Sequence, residues 1–198
     1  MGNWISIGTG FVAGVVLSSF FEYGIHKYFL HSTPKFLRNT YVKSMWHGHV
    51  VSHHSNYIPD EHYTRDKTNK DEVLTFSWYG GILIVIISTA FVYVFDAAIR
   101  ILLGVPLTII MPEIIGFSLA FVVYYAAYES LHAIMHVPDK WRWLCKTRVM
   151  KILNRHHYQH HLDPNTNLNV IFPMADYIFG TKHSLPKEKY IYADAFSY

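Results

Sequence analysis

The sequence predicts an all-α protein embedded in a membrane, a helical bundle of three to four spanning helices joined to a helical cap rich in histidine. Three observations predict it. Apolar residues make up 51% of the 198-residue chain and charged residues only 16%, against about 25% charge in soluble domains. Three long windows are almost free of charge. Ten of the 14 histidines fall into four short clusters between or just beyond those windows: His26 and His31; His49, His53 and His54; His132 and His136; His157, His160 and His161. The length fits one domain, taken as residues 1–198.

A spanning helix needs about 20 mainly apolar residues. Asn3 to Phe21 is the first such window, and its Gly8, Gly10, Ala13 and Gly14 permit close helix packing. It has no preceding Lys or Arg and no small-residue cleavage pattern, so it is expected to be retained and not removed as a signal peptide. Thr33 and Pro34 make an N-cap and first residue of a following helix, on which Val42, Met45, Trp46, His49 and His53 recur at three- or four-residue steps. Val73 to Phe95 is the second window and carries no charge. The third runs from Ile101 to about Leu131 but is interrupted by Pro106 and Pro112, so a helix is expected over 112–131, with the first part a loop or a broken fourth span. Residues 141 to 161 place Trp141, Leu144, Cys145, Val149, Ile152 and Leu153 on one side of a helix and Arg142, Lys146, Lys151 and Arg155 largely on the other. This is either a basic helix lying on a membrane surface or a core-facing helix with a solvated charged face. Pro164 ends it. Cys145 is the chain's one cysteine, which excludes an intramolecular disulfide and a thiolate zinc site, and it reads as a small buried hydrophobe.

The basic residues set the expected orientation. Seven of the 17 Lys and Arg lie between residues 25 and 72, nine lie after 131, and only Arg100 lies elsewhere. Cytoplasmic loops carry the excess of positive charge. The N-terminus is therefore expected outside, spans two and three form a hairpin with its tip near Arg100, and both basic segments are cytoplasmic. That topology puts all four histidine clusters on one side.

On an α-helix, residues four apart differ by about 40° around the axis and about 6 Å along it, so they can reach one ion. His132 with His136, His49 with His53, and His157 with His161 satisfy this spacing. Neighbours such as His53 and His54 diverge by about 100° and suit two different ions, and His26 and His31, five apart, also diverge in α geometry. Ten imidazoles exceed what one four- to six-coordinate ion can use, which predicts a dinuclear centre. Glu22, four residues before His26, and Glu129, three before His132, share the helical face of those histidines and are expected to accept a proton from the ring nitrogen that faces away from the metal. His47, His62 and His183 fit no helical pairing and read as structural or surface residues, and His157 has better spacing to His160 and His161 than His156 has.

These segments resemble the successive histidine boxes of the fatty acid hydroxylase and sterol desaturase superfamily of integral membrane di-iron proteins: HKYFLH at 26–31, HVVSHH at 49–54, ESLHAIMH at 129–136 and HYQHH at 157–161. Asn167 to Thr181, NLNVIFPMADYIFGT, resembles the segment that follows the last box. The second box of that family is more often HxxHH, so the extra residue here leaves His49 and His47 as alternative ligands. The resemblance implies two Fe ions that activate O2 and remove hydrogen from an unactivated C–H bond of a lipid, with Zn able to replace iron in a purified sample. It implies a lipid substrate entering from the bilayer and a separate electron-donor protein docking on the basic cytoplasmic face, without a nucleic-acid partner. Phe20, Phe21, Tyr124, Tyr125 and Tyr128 either pack at the membrane interface or line a substrate tunnel. Hydroxylation of a fatty acyl lipid is the expected reaction, with sterol oxidation or desaturation as the alternative, in the endoplasmic reticulum of a eukaryote or the inner membrane of a bacterium. A metal transporter is the rival of another class. Its ligands belong near the bilayer midplane, whereas the histidines here fall past the ends of the spans.

Overall fold

A computed structural model describes residues 2–31, 39–65, 78–107 and 110–195, and among these residues all regular structure is helical. Thr33, Pro34 and residues 73–77, where the second span was expected to begin, lie outside the described residues. Helix α1 covers Gly2–Ile25, α2 Thr40–Trp46, α3 His54–Asn56, α4 Trp78–Leu103, α5 Ile110–His136, α6 Arg142–Cys145, α7 Arg148–Leu162 and α8 Met174–Phe179. Two π-helical turns, His26–Leu30 and His47–His53, continue α1 and α2. Three helical segments are long and apolar enough to cross a membrane, Asn3–Leu30, Tyr79–Leu103 and Met111–His136. Each overruns its apolar window, because a helix continues past the first ionisable side chain. Glu22 lies inside α1, and Asp96 and Arg100 lie inside α4.

The chain divides into two compact units, Met1–Phe21 with Phe76–Ala127, and Glu22–Thr75 with Tyr128–Tyr198. In the first, Val92, Ile114 and Phe121 are buried with Leu17, Phe21, Val85, Ala97 and Phe117 against them. Phe21 meets Phe91 and Phe121 edge-on, at ring distances of 5.8 and 5.4 Å. Close helix approach uses Gly10, beside the Glu113 backbone, Gly14, where an added Cβ would stand 2.6 Å from Ala120 Cβ, and Gly116, beside the Ile7 and Phe11 backbone. Gly8, expected in the same role, has open space around it. Ile82, Ile86, Val94 and Val122 are exposed, as lipid-facing side chains are. Gly104, at φ 66°, ends α4, and Pro112 sits in the first turn of α5, where its missing N–H costs no hydrogen bond. Residues 101–103 therefore belong to the second spanning helix, and the described residues hold no broken fourth span. Arg100 ties the hairpin by pairing with Asp96 at 2.9 Å and with Glu113.

In the second unit, Asn39 caps α2 by accepting from the Tyr41 and Val42 amides at 2.9 and 3.3 Å. The single helix expected over 141–161 is broken at Lys146 and Thr147, and Thr147 caps α7 by accepting from Met150 N at 3.3 Å. On α7, Met150 and Asn154 are buried while Val149 and Ile152 are exposed, so of the two readings of this stretch the core-facing one does not hold at those two residues. Tyr63, Tyr158, Tyr190 and Ala193 form this unit's apolar cluster. The C-terminal segment is fastened to α7 by Arg155 with Asp194 at 3.0 Å and by Asn154 Nδ2 donating to Ala193 O.

Candidate metal centre

Local helix geometry decides which histidines meet. In α geometry, residues five apart diverge by about 140°. The π turn His26–Leu30 replaces that geometry with the i to i+5 bond, His31 N donating to His26 O at 2.9 Å, and so brings the two rings onto one face, stacked at 5.2 Å. The turn His47–His53 does the same for His49 and His54, the His54 amide donating to His49 O. The expectation that His26 and His31 diverge is thereby corrected. So is the expectation that His49 and His53 serve one ion, because they join different groups.

In the first group the ligating nitrogens of His26, His31, His49 and His160 lie within 4.8 Å of one another. His49 Nε2 stands 2.9 Å from that of His26, 3.2 Å from that of His31 and 3.3 Å from that of His54. His31 and His160 face each other at 3.1 Å. The second group is His53, His132, His136 and His157. Here His132 and His161 each approach His53 to 3.2 Å, and His157 stands 3.0 Å from His136 and 3.1 Å from His161. The His54 and His161 rings stack between the groups at 4.3 Å. All ten clustered histidines are therefore brought together, four in each group, with His54 beside His49 of the first and His161 beside His53 and His157 of the second.

The donor set fits metal ions. A neutral imidazole carries one ring proton. His26, His136 and His160 each give theirs, on Nδ1, to backbone carbonyls of Leu168, Tyr63 and Thr166, at 2.5, 2.9 and 2.9 Å. Their Nε2 atoms are left as lone pairs directed at other imidazoles. One His49 proton cannot satisfy the three Nε2 neighbours around it, but a cation satisfies all of them. Metal–imidazole bonds of about 2.0–2.1 Å put neighbouring ligand atoms roughly 3.0–3.4 Å apart, which matches the spacings in both groups.

Burial, reinforced by the neighbouring rings, pushes His49, His53, His54, His157 and His161 well below the ordinary imidazole range and His31 down to about 3. His160 is lowered by burial to about 4, with its bond to the Thr166 carbonyl and nearby Asp176 working the other way. The neutral ring is the form that ligates.

Several assignments left open by sequence are decided by placement. His49 is buried and in the first group, whereas His47 is exposed. His156 is buried but bonds Asp176 at 3.2 Å, leaving His157 to the second group. His62 pairs with Asp60 at 2.8 Å on the surface. Tyr128 stacks on His132 at 5.5 Å, and the Tyr125 ring packs over Gly81. Glu22 was expected to take the outer proton of His26, but the Leu168 carbonyl takes it. Glu22 instead accepts from Asn169 Nδ2 at 3.1 Å and Val170 N at 2.6 Å. Glu129 lies within α5, one turn before His132.

The partners that sequence reading missed lie in the segment after the last histidines. Asp176, fully buried, accepts from Leu168 N at 2.9 Å, Asn169 N at 2.8 Å and Thr181 Oγ1 at 2.7 Å. Burial alone would raise its carboxyl, yet the bonds from His156, Thr181 and the two amides hold it below the usual range. Asn167, at φ 50°, donates to the carbonyls of His156 and His183. Two asparagines and an aspartate within an otherwise apolar stretch were the available signal.

No curated protein and no solved structure matches the chain. A family model described as fatty acid hydroxylase matches residues 11–181, a stretch that contains every clustered histidine and the segment behind them. The chain belongs to the fatty acid hydroxylase family, and is thus a metal-dependent membrane enzyme of the lipid hydroxylase and desaturase type.

Proposed function

We propose that this protein hydroxylates a C–H bond of a fatty acyl lipid with O2, using two iron ions held by His26, His31, His49, His54 and His160 on one side and His53, His132, His136, His157 and His161 on the other. The observation that carries the reading is the convergence of Nε2 atoms in two groups of four, each with one further histidine, His54 or His161, against it, and with the outer N–H groups of His26, His136 and His160 committed to backbone carbonyls. Bound iron supplies the activation of O2 and the removal of hydrogen from an unactivated C–H bond. The balance is R–H + O2 + 2 electrons + 2 protons giving R–OH + H2O, and the electrons come from a separate donor protein. The chain's own residues keep the ligand set neutral, since burial denies protons to the rings. Carbonyl bonds fix which nitrogen faces inward, as outer partners of metal-bound histidines do, and the dry surroundings limit side reactions. We further place the site on the cytoplasmic side, where both basic segments belong by charge, and take residues 1–198 as one catalytic domain with the lipid entering from the bilayer.

The test is lipid mass spectrometry on cells with and without the intact chain, grown under labelled O2. A product heavier by one labelled oxygen atom is expected, and should vanish with His132→Ala or His160→Ala. Loss of two hydrogens without label would replace hydroxylation by desaturation. No lipid change, with zinc or iron flux into proteoliposomes instead, would overturn the enzyme reading.

A further inference from the structure

Three consecutive amides in the segment after α7 meet carboxylates. Leu168 N and Asn169 N donate to the two oxygens of Asp176, at 2.9 and 2.8 Å, and Val170 N donates to Glu22 at 2.6 Å. Asn169 closes the bracket, donating to Glu22 from Nδ2 at 3.1 Å and accepting from Asp176 N at 3.2 Å. Residues 163–173 are neither helix nor strand, and while Asp163, Thr166 and Asn167 donate to backbone carbonyls, the amides of Leu168, Asn169 and Val170 donate to side chains. What the bracket holds still is a pair of carbonyls. Leu168 O receives the outer proton of His26, and Thr166 O that of His160. Asn167 locks the residue between them through His156 O and His183 O.

Both histidines belong to the first group. In the second, the Nδ1 atoms of His53, His157 and His161 are buried and meet no hydrogen-bond partner among the described residues. The partner of a metal-bound histidine is commonly a carboxylate in direct contact. Here two carboxylates act at one remove, through the backbone. We propose that Asp176 is a positioning residue for one of the two metal ions only, making the group of His26, His31, His49, His54 and His160 the tighter site and leaving the other the weaker. This rests on the reading that both groups bind metal.

The experiment uses the full chain in detergent, stripped of metal and titrated with Co2+, reading ions bound per chain and the visible spectrum of each binding step. Wild type is expected to bind two ions in separable steps. Asp176→Asn should weaken the tighter step by about 10–100-fold and leave the weaker one unchanged. The ion retained should be lost when His157→Ala is added and kept when His160→Ala is added. Thr181→Val removes a single bond to Asp176 and should act in the same direction to a smaller extent, which keeps the test open if Asp176→Asn fails to fold. Equal weakening of both steps, no weakening, or a retained ion that depends on His160 overturns the proposal while leaving two-metal binding intact. A wild-type chain that binds no Co2+ overturns the metal reading and this proposal together.

Discussion

At the scale of single residues, His47 and His49 show how little a residue type says by itself. Both lie on the same helical stretch, two positions apart, and only His49 turns its ring into the first group while His47 faces out. Alanine at His47 should leave metal content at the wild-type level, whereas alanine at His49 should lower it by at least one ion in elemental analysis. The buried rings also predict a pH dependence. Their folded values lie below the ordinary 6.5, reaching about 4 for His160 and about 3 for His31. Above 6.5 both folded and unfolded chains are neutral at these sites. As pH falls below 6.5 the unfolded chain takes up protons that the folded one refuses, and each such ring costs about 1.4 kcal/mol per pH unit. The thermal midpoint of the metal-free protein should therefore drop steeply between pH 7 and 5, and an unchanged midpoint would contradict the burial of these groups. The histidines themselves were legible in sequence because their side chains carry the chemistry. Their outer partners were not, because every residue has a carbonyl and nothing in the letters marks those of Tyr63, Thr166 and Leu168.

At the scale of elements, periodicity located the helices but not their local winding. In α geometry His26 and His31 would diverge. One extra residue per turn reverses that conclusion, and π turns of this kind recur at functional sites. The stretch 141–161 is likewise two helices and not one, α7 starting afresh after Thr147, and the exposure of Val149 and Ile152 goes against its core-facing reading at those positions. Glycine use was partly legible. Gly10 and Gly14 lie where helices touch, but Gly116 supplies the reciprocal contact and Gly8 none. Gly116→Val should destabilise the protein in detergent by about 1–3 kcal/mol, since its side chain would meet immovable backbone of Ile7 and Phe11. Gly8→Ala should be close to neutral in the same unfolding measurement.

At the scale of the whole molecule, composition and charge carried most of the information. Low charge and long apolar windows follow directly from the demand that a lipid-facing helix satisfy its own backbone and present apolar side chains, and three such helices are present. The clustering of basic residues predicts sidedness. With Cys145 replaced by alanine, cysteines introduced at Lys67 and Lys187 should react with an impermeant thiol reagent from the cytoplasmic face, and one at Val105 from the opposite face. Labelling of Lys67→Cys and Lys187→Cys from different faces would refute the topology.

The sequence by itself determined the fold class, the membrane setting and the ten candidate metal ligands, because those depend on residue type and on spacing along one chain. Tertiary structure decided how the ligands divide into two groups, since His160 and His157, three residues apart, go to different groups beside partners far away in sequence. It also decided what orients them. Glu22 and Asp176, separated along the chain, converge on Leu168, Asn169 and Val170 only after folding. Hydrogen bonds to backbone are set by position in space and leave no pattern in the order of side chains.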